Sequence, residues 1–242
     1  MEPMMNPPGS EFGHESSTVE FDDAVTLWIP DGIHSLGLEL PEEERAERVD
    51  DLADGLWSAG TDFQRETVAT WYREFADSAA DDGALYAGVC FVATENEQPG
   101  SATLLIRAET ADSSDAELAV TGLVEALSAD PAKEVFRTTA AGRPAVVVFS
   151  ATTTVLSQSA GQPATELTIA TAEAYIPLPE ISRLLVLNIS SPSLELFPDF
   201  ASLLSGIAET TEVDRAAVDD FAAEDGTATR VSTAGSVSSV FG

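Results

Sequence analysis

Residues 135–191 read VFRTTAAGRPAVVVFSATTTVLSQSAGQPATELTIATAEAYIPLPEISRLLVLNISS. This stretch decides the fold. Val135–Thr138 is a short strand, and Ala141-Gly142-Arg143-Pro144 turns the chain into a long one, Ala145–Leu156. Gly161-Gln162-Pro163 turns it again into Thr165–Ile176, and Ser182-Arg183 precedes a further strand, Leu184–Ser191. Runs of β-branched and aromatic residues bounded by Gly and Pro are strand signals. The connections are too short for a parallel crossover, which takes a dozen or more residues, so these strands pair antiparallel.

Upstream, Val25–Ile29 is a strand that Pro30-Asp31-Gly32 terminates. Pro41 opens a helix whose first turn carries Glu42, Glu43 and Glu44, acids placed at the positive end of the helix dipole. Its apolar stripe is Ala46, Val49, Leu52, Ala53, Leu56 and Trp57, and Gly60 ends it. A second helix spans about 62–80, with Asp62 as N-cap and Phe63, Val68, Trp71, Tyr72, Phe75 and Ala79 as its inward stripe. Leu85–Ala93 and Ala102–Ala108 read as a hairpin about Pro99-Gly100. Asp112–Asp115 caps a third helix carrying Leu118, Val120, Leu123, Val124 and Leu127, and a last helix covers about 193–208 with Leu194, Phe197, Phe200, Leu203, Leu204 and Ile207 inward. The order predicts an α+β fold: a single meandering, mainly antiparallel sheet with helices packed on it. Residues 1–18 are expected to be a mobile segment in which Gly9-Ser10-Glu11-Phe12 reads as a translated vector junction. Residues 19–212 form one domain, and 213–242 are a weakly ordered tail, acidic and then rich in Gly, Ser and Thr.

Composition narrows the function. The 242 residues carry 42 Asp plus Glu against 11 Lys plus Arg, a formal net charge of −31, and Lys133 is the only lysine. A nucleic-acid binder needs a basic face to release counterions, so nucleic acid is not an expected partner. Cys90 is the single cysteine, which excludes an intrachain disulfide. No apolar run is long enough for a transmembrane helix, and the N-terminus has no basic-then-apolar signal pattern, so a cytoplasmic protein is expected. The acids are spread over the chain, as on a solvated surface, and they bias partner choice toward basic proteins.

Three places carry a resemblance to the Mog1/PsbP-like fold and its actinobacterial LpqN-type branch. The first is the opening strand running into Pro30-Asp31-Gly32. The second is Ala141-Gly142-Arg143-Pro144-Ala145-Val146, which looks like that family's Gly-x-Pro-Ala turn before a long central strand. The third is the closing strand followed by Phe197–Ile207 as a terminal helix. The resemblance spans about residues 20–210, and it departs from many relatives in placing two helices between the first two strands. It implies an α/β/α sandwich and a non-enzymatic, protein-binding role as adaptor or accessory protein. It transfers no catalytic residue.

The residues themselves offer little chemistry. His14 and His34 are distant from each other and from Cys90, with His34 expected in a loop, so no zinc site and no other metal site is expected. Asp50-Asp51-Leu52-Ala53-Asp54-Gly55 fails the calcium-loop pattern at its third and twelfth positions, Leu52 and Thr61. There is no Gly-x-Ser-x-Gly elbow, phosphate loop or dinucleotide fingerprint, so no catalytic residue and no cofactor is assigned. Cys90, within a strand, reads as a buried thiol, and the sequon Asn188-Ile189-Ser190 lies in a strand of the sheet and is discounted.

The candidate partner-binding residues are Trp57, Trp71, Tyr72 and Phe75 on the two early helices. Aromatic stripes at helical spacing ordinarily face inward. The alternative is a groove that takes a partner element. Three functions follow: an accessory or adaptor protein using an apolar groove with an acidic rim, a secretion-system chaperone or immunity-type protein for a basic client, and a small-ligand binder or hydrolase.

Overall fold

The structure is a computed structural model and describes residues 17–22, 24–93, 99–156 and 165–214. In chain order its elements are β1 (Ser17–Phe21), β2 (Val25–Ile29), β3 (Ile33–Ser35), α1 (Glu42–Leu56), α2 (Asp62–Asp81), β4 (Tyr86–Ala93) and β5 (Pro99–Thr110). There follow α3 (Ala116–Leu127), β6 (Lys133–Ala140), β7 (Arg143–Leu156), β8 (Thr165–Leu178), β9 (Arg183–Ser191), α4 (Phe197–Glu209) and β10 (Glu212–Val213).

The fold is α+β. Seven strands form one antiparallel sheet in the order β3-β4-β5-β9-β8-β7-β6. From β6 to β9 it is the expected meander. Its first hairpin closes between Ala140 and Arg143 through Ala141 (φ 51°) and Gly142 (φ 72°), a two-residue turn with both central residues left-handed. β9 then enters between β8 and β5 and joins the meander to the β4–β5 hairpin. A second sheet of three strands, β1-β2-β10, stands apart. The sequence reading did not separate it from the first. Its third member is only two residues long, Glu212–Val213, set on Thr26 and Val25. The tail beyond Asp214 lies outside the described residues, as do residues 1–16.

The seven-stranded sheet is covered on both faces. On the inner face, the side chains of β4, β5, β8 and β9 pack with β1, β2 and α4 into the main core, which holds Leu27, Ile106, Leu187, Ile189, Phe200 and Leu204. On the outer face, α1 and α2 lie over β3–β5, with Leu36, Val49, Ala76, Ala79, Ala87 and Val89 buried between them. α3 covers β6–β8 through Val120, Val146 and Val148. The result is a three-layer sandwich.

Several local expectations shift by a fraction of a helical turn. Thr61, not Asp62, is the N-cap of α2: its Oγ1 accepts from the Gln64 N–H, and the Gln64 side chain accepts from the Thr61 N–H at 2.8 Å. Phe63 and Trp71, expected inward, are exposed, at 77% and 65%. The buried stripe of α2 runs through Val68, Ala76 and Ala79, with Tyr72 and Phe75 half-buried beside it, and Trp71 lies about 100° around the helix from Tyr72. Leu118 and Leu194 are likewise exposed. His34 is in β3 rather than a loop, paired with Val89.

Candidate functional site

Alternation along β6 places Glu134, Phe136 and Thr138 on the inner face of the sheet. α4 lies over β8 and β9, to one side of that row. Between them opens a groove of about 250 Å³. Phe136 and Thr138 form one wall, and Ala201, Ser205 and Ala208 of α4 form the other. The floor is Ala145, Val147 and Phe149 of β7 with Ala172 and Ala174 of β8. Alanine floors keep it hollow, whereas the same face of the sheet nearer its centre is filled by Ile176, Leu185 and Leu187.

The groove has an aromatic end and a charged end. Phe136 meets Phe149 edge to face at 5.9 Å, and Phe149 meets Phe197 at 6.3 Å. At the other end, Glu209 Oε2 accepts from the Ala141 N–H at 2.8 Å, so the last turn of α4 is tied to the β6–β7 turn. Glu134, paired in register with Phe149, stands exposed at the aromatic end. Phe136 is 49% exposed despite flanking an apolar hollow.

The four aromatic residues singled out from the sequence lie on the opposite face and do not line this groove. Three of them are packed. Trp57 meets Phe91 edge to face at 6.3 Å and packs with Tyr72 on Ala53, Val68 and Ala69. Phe75 packs into the core between the helix pair and the sheet. Burial raises the Tyr72 pKa, with the Trp57 indole beside its hydroxyl opposing that rise. Trp71 is the exposed member and shares the outward side of α2 with Phe63. Around them the helix pair is stitched by charge: Arg45–Asp77 at 2.9 Å, Arg73–Asp50 at 2.9 Å, and Arg65 with both Asp54 and Asp62. The acids Asp50 and Asp54 of the calcium-like run thus serve as partners for arginines.

No protein-family model matches the sequence, and no curated protein matches it. Two solved structures align with most of it. One is LpqN, involved in cell envelope biogenesis of Mycobacterium tuberculosis, at 13% identity and a TM-score of 0.39, covering 83% of this chain and 91% of that one. The other is the Ran-binding protein Mog1p of Saccharomyces cerevisiae, at 16% identity and a TM-score of 0.38, covering 85% of this chain and 99% of that one. The chain is similar to both in fold, as the Mog1/PsbP-like resemblance implied. At these scores the likeness brings no site residue and no partner with it.

The remaining chemical groups are absorbed by structure. Among the described residues, no three His, Cys, Asp or Glu side chains gather to hold a metal ion, and no helix is long and apolar enough to cross a membrane. The Asn188 amide donates to Glu173 at 3.3 Å and its oxygen accepts from Ser190, within the sheet. Cys90 is buried, which pushes its thiol up to about 11 from 9.0, with a hydrogen bond from the Ala102 backbone opposing the rise. A thiol raised in this way stays protonated where the unfolded chain's thiol ionises. Its share of stability is therefore intact below pH 9 and is lost as pH rises toward 11. Iodoacetamide at about pH 8 is expected to leave Cys90 unmodified in the folded protein and to label it in denaturant. Equal labelling in both states, followed by mass spectrometry, would show that β4 opens readily.

The groove was not found from the sequence, although a signal for it exists. β8 carries Ala170, Ala172 and Ala174 at every second position, and α4 carries Ala201 and Ala208 on one side. Small residues on both facing surfaces leave either a close approach or a hollow, and only the placement of α4 decides which.

Proposed function

We propose that this chain is a non-enzymatic, protein-binding accessory domain that takes a basic protein client into the groove between β6–β7 and α4. One observation supports this above the others: Phe136 stands half-exposed over an apolar hollow bounded by Glu134 and Glu209. Burying an aromatic anchor in a pocket is how a few residues come to dominate an interface. The net charge of −31 raises the encounter rate with basic clients and discourages acidic ones. Adaptor and chaperone or immunity-type roles both use such a client site. A second contact surface is proposed on α2 at Trp71, the one exposed residue of the aromatic set Trp57, Trp71, Tyr72 and Phe75.

The test is site-directed photo-crosslinking in the native host, with the crosslinking residue at position 136, at 71, or at the exposed control 118. A single client band at 136 and none at 118 is expected. Ser205→Trp, which fills the groove from an exposed position on α4, should lower the yield at 136 roughly tenfold, equivalent to about 1.4 kcal/mol. A client captured at 71 and not at 136 would move the site to the helix pair. Silence at both positions would sink the binding role.

A further inference from the structure

The seven-stranded sheet ends at β3 and β6, and these two ends differ. β3 is three residues long, whereas β6 is eight, and all eight are in register with β7. Among the described residues no strand lies on the other side of β6. Its backbone therefore presents a row of donors and acceptors to the solvent, the template on which another strand adds.

The cover over β6 is one-sided. On the outer face Val135 packs into the α3 core, and Arg137 is ion-paired with Glu117 of α3. On the inner face Phe136 and Thr138 are exposed beside the groove. A strand laid along β6 would sit about 4.8 Å away and send alternate side chains to each face. Those on the inner face would land next to Phe136 and Thr138, at the mouth of the groove. Edge strands are normally blunted by inward charges, prolines or bulges. β6 contains no proline, its lysine is at its first residue, the arginine at its centre is drawn away to α3, and its one inner-face charge, Glu134, is next to its first residue, which leaves Phe136 to Ala140 without an inward charge. We infer that the client enters as an extended segment that adds to the sheet alongside β6, packing alternate apolar side chains against Phe136 and Thr138 at the mouth of the groove while its flanking basic residues reach Glu134 and Glu209. This rests on the groove reading above. A second copy of the chain is the disfavoured occupant, because each copy brings −31 and the two would repel.

The probe is a blocked decapeptide alternating valine and lysine, titrated against the full chain by fluorescence anisotropy, with hydrogen exchange read at the β6 amides. Two control peptides accompany it: one alternating valine and glutamate, and one valine–lysine peptide methylated on alternate backbone nitrogens. Binding that slows exchange in β6, falls at least roughly tenfold on N-methylation and falls likewise in Ser205→Trp is the expected result. Binding that Ser205→Trp abolishes but N-methylation spares, with β6 exchange unchanged, would overturn strand addition and leave the groove reading standing. Equal binding of the glutamate peptide would overturn the basic character of the client. Absence of binding up to about 1 mM, while the crosslink at 136 persists, would overturn strand addition alone. A concentration-dependent dimer, seen by ultracentrifugation with the same β6 protection and no peptide, would assign the edge to a second copy and overturn the proposed client.

Discussion

Phe200→Ala is expected to cost about 3–5 kcal/mol, while Phe136→Ala costs about 1 kcal/mol, although the two residues differ by the same ring. Phe200 is 1% exposed and belongs to the core that α4 shares with both sheets. Its removal leaves a cavity that Leu204, Ile207 and the sheet cannot close without moving the helix, so both the transfer loss and the cavity loss are felt. Domains of this size hold only about 5–15 kcal/mol in all, so Phe200→Ala removes a large share of it. A fall in Tm of roughly 6–20 °C follows. Phe136 is already half in water and loses little more than its edge contact with Phe149. Urea unfolding of the two variants checks both values, with the midpoint shifting and the slope unchanged. Equal losses for the two would mean that the groove is packed shut in solution, and the site would fail with it.

The central pattern of the sheet was legible because its information is local. Alternation every second residue and Pro/Gly turns suffice to set β6, β7, β8 and β9 side by side. The identity of their neighbours is not local: the pairing of β5 with β9 joins Thr103 to Ser190, and no periodicity announces it. The same holds for the three-stranded sheet, since Glu212–Val213 is too short to show any period. Helix faces failed for a narrower reason. Trp71 abuts the true stripe of α2, and Leu118 sits on the far side of α3 from Val120, so hydrophobicity alone misassigned both. The α2 cap was misread by one residue because Thr61 and Asp62 are both good cappers. Only Thr61 has a glutamine three residues on; Asp62 has Arg65 there.

The candidate site depends on where α4 comes to rest, and that is decided by Phe200, Leu204 and Ile207 seating on β8, β9 and β2. Seated there, the helix leaves the inner row of β6 uncovered. The residues this exposes are ordinary in the sequence: one phenylalanine in a strand, and alanines that would equally suit a tight helix–sheet contact. The aromatic helix pair was the louder sequence signal, yet three of its four members are spent on packing the helices to the sheet.

Gly88→Ala is expected to destabilise the protein by about 1–3 kcal/mol although it adds a single methyl group. Gly88 is on β4, on the same face as Tyr86, and the Tyr86 ring leans along the strand across it. A Cβ at Gly88 would stand 2.8 Å from Tyr86 Cε1 and 2.9 Å from both the Tyr86 hydroxyl and Ile33 Cγ2. The ring cannot swing aside cheaply, because Tyr86 is buried in the main core, and burial pushes its hydroxyl up to about 12. Ile33 is the softer neighbour. It opens β3, which pairs with β4 over three residues only, so the strain should be relieved by lifting β3 from the sheet. That movement would loosen the path from β3 through buried Leu36, whose N–H is bonded to the Ala87 carbonyl at 2.9 Å, into α1. Hydrogen exchange should therefore rise at Ile33–Leu36 in Gly88→Ala while β6–β9 keep their protection. Shortening the neighbour in Gly88→Ala/Ile33→Ala should cost less than the sum of the two single changes, by roughly 0.5–3 kcal/mol, because the two side chains compete for one space. A Gly88→Ala midpoint equal to the parent's would show that the Tyr86 ring does not lie across Gly88 in solution, and strict additivity of the pair would show that Ile33 is not the neighbour that yields.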